Sequence, residues 1–132
     1  MVSTITSGDQ LKLSFRIGGK LKLNKLVPSS LVLRGNSITN YLFGINTQDD
    51  KKLLSEILRD TDPTFFKWAI NAITKWRNNV DPNGVVIHGS KDGILSKTND
   101  VQHVIEGGGH FMIVNRAKEI SKILEKELHE MK

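Results

Sequence analysis

Val85-Val86-Ile87-His88 runs without the in-and-out alternation of a half-exposed strand, and it is bounded by the turn residues Asp81-Pro82-Asn83-Gly84 and by Gly89. Such a run predicts a short strand covered on both faces, the habit of central strands in parallel sheets. A loop bearing Lys91 and Asp92 follows, then a second strand over Val101 to Ile105, then Gly107-Gly108-Gly109-His110. The chain ends in a helix from about Asn115 to His129, with Ala117, Ile120, Ile123, Leu124 and Leu128 inward and Lys and Glu outward. Strand, polar loop, strand, loop, helix is the order of a parallel α/β sheet.

The rest of the chain has to be helical or irregular. Val2 to Thr6 is β-branched and precedes Ser7-Gly8-Asp9, which predicts a strand ending in a turn. From Leu11 to Ser37 alternation and helical spacing compete, with Gly18-Gly19 as a break, and the region is read as a mostly helical, irregular excursion. Thr47 caps a helix carrying Leu53, Leu54, Ile57 and Leu58, with Asp49 and Asp50 in the first turn, where the helix dipole favours acids. Asp62-Pro63 opens another, with Phe65, Phe66, Ala69, Ile70, Ile73 and Trp76 on one broad stripe, closing over Trp76 to Asn79.

A chain of 132 residues has room for one domain. The absence of cysteine excludes a disulfide scaffold, thiol catalysis and thiolate zinc sites. No apolar run approaches the roughly 20 residues of a membrane span, and Met1 to Gly8 lacks the charged head and apolar stretch of a signal peptide. No membrane partner and a cytoplasmic location are therefore expected. The net charge of +5 gathers early: Lys12, Arg16, Lys20, Lys22, Lys25 and Arg34 occur without an Asp or Glu between them. Only Phe15 accompanies them, so the interleaved aromatics of a single-strand binder are missing, which argues against a nucleic-acid partner.

In open parallel sheets, functional groups collect on loops at the carboxyl ends of the strands. Asp92 and His110 each follow a predicted strand, which puts both at one end of neighbouring strands. A histidine oriented by a carboxylate is a base with its orienter, the pairing used in nucleophilic acyl transfer. The three glycines permit positive φ and close passage of backbone beside His110. Taken singly, a loop Asp is a turn former and a His after a strand a packing residue, and His88 and His103 are read as structural. A metal trio of His88, Asp92 and His110 lacks a paired-ligand spacing such as H-x-x-x-H, so no metal site is expected.

Together, V-V-I-H-G-S-K-D from Val85 to Asp92, G-G-G-H-F from Gly107 to Phe111 and the terminal helix resemble the C-terminal third of the α/β-hydrolase fold. The stretch from Asp60-Thr61-Asp62-Pro63 to Trp76-Arg77-Asn78 resembles a helical segment of small bacterial α/β hydrolases. The resemblance implies that Asp92 is the triad acid and His110 the triad base. It divides the chain into a strand at 1–6, a mostly helical cap-like insertion at 7–79, and a strand–loop–strand–helix core at 80–132. The implied fold is α/β, a partial α/β-hydrolase fold with about three parallel strands, the cap and a C-terminal helix.

The nucleophile elbow G-x-S-x-G occurs nowhere in the sequence, nor does a His-Gly oxyanion loop. The simplest account is that the chain is the C-terminal part of a hydrolase acting on a small-molecule ester, thioester or amide, inactive alone and needing no metal or organic cofactor. Phe43, Phe65, Phe66, Trp68 and Trp76 are candidates for an apolar substrate wall, although their stripe suits core packing better. A strand at 2–6 with a bare outer edge predicts self-association. Two alternatives stand beside this account. One is a basic, non-enzymatic interaction module. The other is a minimal hydrolase using Ser37, where Leu31-Val32-Leu33-Arg34-Gly35-Asn36-Ser37 mimics a strand followed by G-x-S but Thr39 replaces the second glycine.

Overall fold

The computed structural model describes residues 1–20, 32–78 and 84–130. Residues 21–31 of the irregular stretch, with Lys22 and Lys25, and the turn residues Asp81-Pro82-Asn83 lie outside the described residues.

Side-chain caps start three of the α-helices. A 3-10 turn at Gly8–Gln10 leads into α1, Leu13–Lys20. Helix α2, Ser37–Phe43, starts where the Asn36 side chain accepts from the Thr39 amide at 2.9 Å. In α3, Gln48–Asp60, the Thr47 hydroxyl accepts from the Asp50 amide at 3.1 Å, with two acids in the first turn and Arg59 in the last. Helix α4, Pro63–Lys75, has the Asp62 carboxylate on the Phe65 amide at 2.7 Å and proline in its first turn, where no intrahelical donor is lost. Two strands follow, β1 at Ile87–Gly89 and β2 at His103–Ile105, then the short α5, Met112–Asn115, and α6, Ala117–Glu130.

The strands are parallel neighbours, with Ile87 opposite His103, His88 opposite Val104 and Gly89 opposite Ile105. The fold is thus mixed α/β, with a two-stranded sheet among the described residues, where about three strands are expected from the sequence. The third is reduced to one parallel bridge, Val2 to Ile87, because Ser3 takes φ of +45° and turns the chain out of the extended conformation. Both strands are also shorter than expected, since Val86 O accepts from both the Gln102 and His103 amides instead of continuing the ladder.

Side chains alternate across a strand, so the two faces pack differently. Ile87 and Ile105 turn to one face and pack with Met112 and Ile120, the core layer under α6. Ile5, Leu11 and Leu95 form a second cluster, closed by an antiparallel bridge between Leu11 and Leu95. Leu33, Ile45, Leu54, Leu58 and Phe111 form a third, with Phe43 and Phe66 against it. The expected inward stripes are narrower than their periodicity suggests. On α6, Ile120 is buried and Ile123 packs on the core, whereas Leu124 and Leu128 are exposed. On α4 no residue is buried, and Phe65, Trp68 and Trp76 face solvent; of the five aromatics proposed as wall or packing, Phe43 and Phe66 pack. No helix among the described residues is long and apolar enough to cross a membrane.

Candidate functional site

The carboxyl end of β1 breaks into a tight turn in which the Asp92 amide donates to Gly89 O at 3.1 Å. That turn directs the Asp92 side chain back into the protein, where its exposure is 0%. A carboxylate taken wholly out of water needs donors for its lone pairs. Oδ1 accepts from the Ile94 and Leu95 amides, both at 2.8 Å, so the backbone that follows the turn fixes its rotamer. Oδ2 faces the His110 ring, with Nδ1 at 2.9 Å.

His110 reaches that position because the loop after β2 is held at both ends. Gly108 N donates to Ile105 O at 3.0 Å and Gly108 O accepts from the Lys91 amide at 2.9 Å, stitching this loop to the Asp92 turn. The three glycines do different things. Gly107 has φ of +71°, where a side chain is strained. Gly109 is a matter of space: a Cβ there would stand 2.6 Å from the Gly44 Cα. That contact brings the end of α2 against the loop, where Phe43 O accepts from the Phe111 amide at 3.0 Å. The Phe43 ring meets the His110 ring edge to face, centroids 5.5 Å apart.

The electrostatics follow from burial and donors. Burial pushes the Asp92 carboxyl up, but the His110 hydrogen bond, the His110 charge and the two amides outweigh it and hold the carboxyl below its ordinary range. His88, on β1, is 5% exposed, and its burial pushes the imidazole down; Lys12, Lys97 and His110 push the same way while Asp92 opposes them. With Nδ1 of His110 committed to Asp92, the Nδ1–H tautomer leaves a lone pair on Nε2, which has no hydrogen-bond partner among the described residues. The ring is 24% exposed, so a proton can leave or reach it from solvent or from a bound molecule.

The structure therefore brings Asp92 and His110 together. It does not bring Ser37 to them: Ser37 is the exposed first residue of α2, after the Asn36 cap, and residues 32–33 are helical, so no strand-to-helix elbow forms there. His103 pairs with Glu127 at 2.6 Å and is part of the scaffold. Among the described residues no group of three His, Cys, Asp or Glu could hold a metal ion. Sequence reasoning missed Ser3, whose Oγ lies 3.1 Å from Asp92 Oδ2. No local signal marks it, since the contact spans 89 positions. No family model, curated protein or solved structure matches the chain.

Proposed function

We propose that the chain is the acid–base portion of an α/β hydrolase, corresponding to that fold's cap and C-terminal core, and that its parent cleaves small-molecule esters, thioesters or amides. The observation that carries this is the 2.9 Å contact of His110 Nδ1 with a fully buried carboxylate, formed by loops at the same ends of two parallel strands. In the reaction, the parent's serine attacks the acyl carbon while His110 Nε2 takes its proton. The same nitrogen then returns a proton to the leaving oxygen, sulfur or nitrogen. Asp92 keeps the ring in the Nδ1–H tautomer and stabilises the imidazolium formed in between. Water repeats the sequence on the acyl-enzyme.

Without a serine on an elbow the pair has nothing to activate, and loss of a triad serine costs turnover on the order of a millionfold. The purified chain is expected to leave aryl esters at the background rate of free imidazole and lysine amines and to stay unlabelled by a serine-directed phosphonate, with Ser37→Ala changing neither. Joined to an α/β-hydrolase segment bearing a G-x-S-x-G elbow, the chain is expected to give an active esterase that His110→Ala abolishes. A joined protein that folds with β1 paired to the new sheet and yet hydrolyses no acyl substrate would overturn the proposal. Stoichiometric phosphonate labelling of the isolated chain at Ser37 would do so as well.

A further inference from the structure

Asp92 has four lone-pair positions and no access to water, and three of its donors are accounted for by Ile94 N, Leu95 N and His110 Nδ1. The fourth comes from outside both loops. Ser3 Oγ stands 3.1 Å from Asp92 Oδ2, 3.2 Å from the His110 carbonyl oxygen and 3.4 Å from His110 Nδ1. One hydroxyl therefore touches the acid, the base and the backbone that carries the base. Ser3 also adopts φ of +45°, the one residue besides glycine among those described with a positive φ. Glycine would take that conformation without a Cβ penalty, so a serine there is held for its hydroxyl.

We propose that Ser3 is a positioning residue for the Asp92–His110 pair. Its hydroxyl completes the coordination of the buried carboxylate and pins the His110 loop to the segment bridged to β1, so that Nδ1–H keeps its direction toward Oδ2 while Nε2 works. The geometry also says what Ser3 is not. A nucleophile must give its proton to the ring nitrogen that the acid leaves free, whereas Ser3 Oγ lies on the Nδ1 side, beside the acid itself. Its single proton is shared between Oδ2 and the His110 carbonyl, and its contact with the ring is on Nδ1, not on the Nε2 that the acid leaves free.

This inference rests on reading His110 as a base, and its test is spectroscopic so that the two can fail separately. In the full 132-residue chain, imidazole nitrogen–proton correlation spectra give the His110 tautomer and the exchange rate of its Nδ1 proton. The wild type is expected to hold the Nδ1–H tautomer with a protected proton. Ser3→Gly and Ser3→Ala are each expected to speed that exchange roughly threefold to tenfold, the effect of losing one net hydrogen bond, and to let the Nε2–H tautomer appear. Ser3→Gly is expected to unfold at a temperature no lower than Ser3→Ala, because glycine suits the positive φ. Unchanged tautomer and exchange in folded variants would overturn the proposal. The wild type supplies an arm that needs no variant: a slowly exchanging Ser3 hydroxyl proton with an Overhauser contact to the His110 Nδ1 proton is expected, and a hydroxyl exchanging like a free one overturns the proposal. None of these readouts depends on hydrolysis, so an inactive joined enzyme would sink the hydrolase reading and leave the Ser3 result standing.

Discussion

His103 Nε2 and Glu127 Oε1 lie 2.6 Å apart and tie β2 to α6 on the face that also buries Ile87 and Ile105. The helix otherwise holds to the sheet chiefly through Ile120 and Ile123, so this polar clip sets its rotation on the apolar layer. Both side chains are about a quarter exposed, which screens the pair without removing it. A double-mutant cycle with His103→Ala and Glu127→Ala in denaturant unfolding is expected to return a coupling of about 1 kcal/mol. A coupling near zero would show that the apolar contacts alone seat α6.

Acid should weaken the fold in two stages. The folded His88 resists protonation, so its pKa lies below the ordinary value of 6.5 that it regains on unfolding. Below that value the unfolded chain binds the extra proton and the native one does not, so stability falls as pH drops from about 6.5 to the folded pKa and is flat above it for this group. Asp92 has a folded pKa below its ordinary 3.8, so its contribution is complete above that value and is lost as pH falls through the folded pKa. Urea unfolding from about pH 8 to about pH 3 checks both. His88→Gln is expected to remove the slope that begins near pH 6.5 and keep the loss at lower pH; an unchanged slope would contradict the assignment.

What is legible in the chain is local. Thr47 with Asp49 and Asp50, and Asp62 with Pro63, mark helix starts because a cap and its partner amide are three positions apart. Turn residues on either side place the two strands and the glycine loop, although the ladder shortens where Gln102 and His103 share Val86 O. Long-range terms are not legible. Periodicity identifies the apolar stripe of α4 but cannot say what covers it, and Phe65, Trp68 and Trp76 are 58%, 63% and 45% exposed. The glycines of the His110 loop read alike in the sequence, yet Gly107 answers a dihedral and Gly109 the approach of Gly44, 65 positions earlier. Ser3 lies 107 positions from His110, and neither its hydroxyl contacts nor its φ has a sequence signature.

The bridge at Val2 leaves a strand edge. Ser3 N donates to Ile87 O and Ile87 N to Met1 O, so the Val2 amide and carbonyl point away from β1, and no backbone group among the described residues bonds them. This one open backbone pair, together with the exposed Phe65, Trp68 and Trp76, is the surface on which a prediction of self-association rests. Sedimentation velocity is expected to show dimers or larger species growing with concentration. Val2→Pro removes the outward donor while sparing both bonds to Ile87, and it is expected to shift the distribution toward monomer. A monodisperse wild-type monomer at high concentration would end this account.

Asp92→Asn should damage the pair more than its near-identical shape suggests. The Ile94 and Leu95 amides, each 2.8 Å from Oδ1, demand an acceptor there, so the new side chain keeps its oxygen on them and turns its NH2 toward His110 Nδ1 and Ser3 Oγ. Two N–H groups cannot face each other, so Nδ1 must become the acceptor and the ring must carry its proton on Nε2. That nitrogen is the one a base needs free. In the isolated chain, the His110 spectrum is expected to switch from the Nδ1–H to the Nε2–H tautomer with the fold retained. In an enzyme reconstructed with an elbow-bearing segment, kcat is expected to fall by about 10⁴, the order found when a triad acid is neutralised in place. His110 keeping its Nδ1 proton in the Asp92→Asn variant, or a reconstructed enzyme losing less than about tenfold, would mean that Asp92 does not set the tautomer and that the contact is structural only.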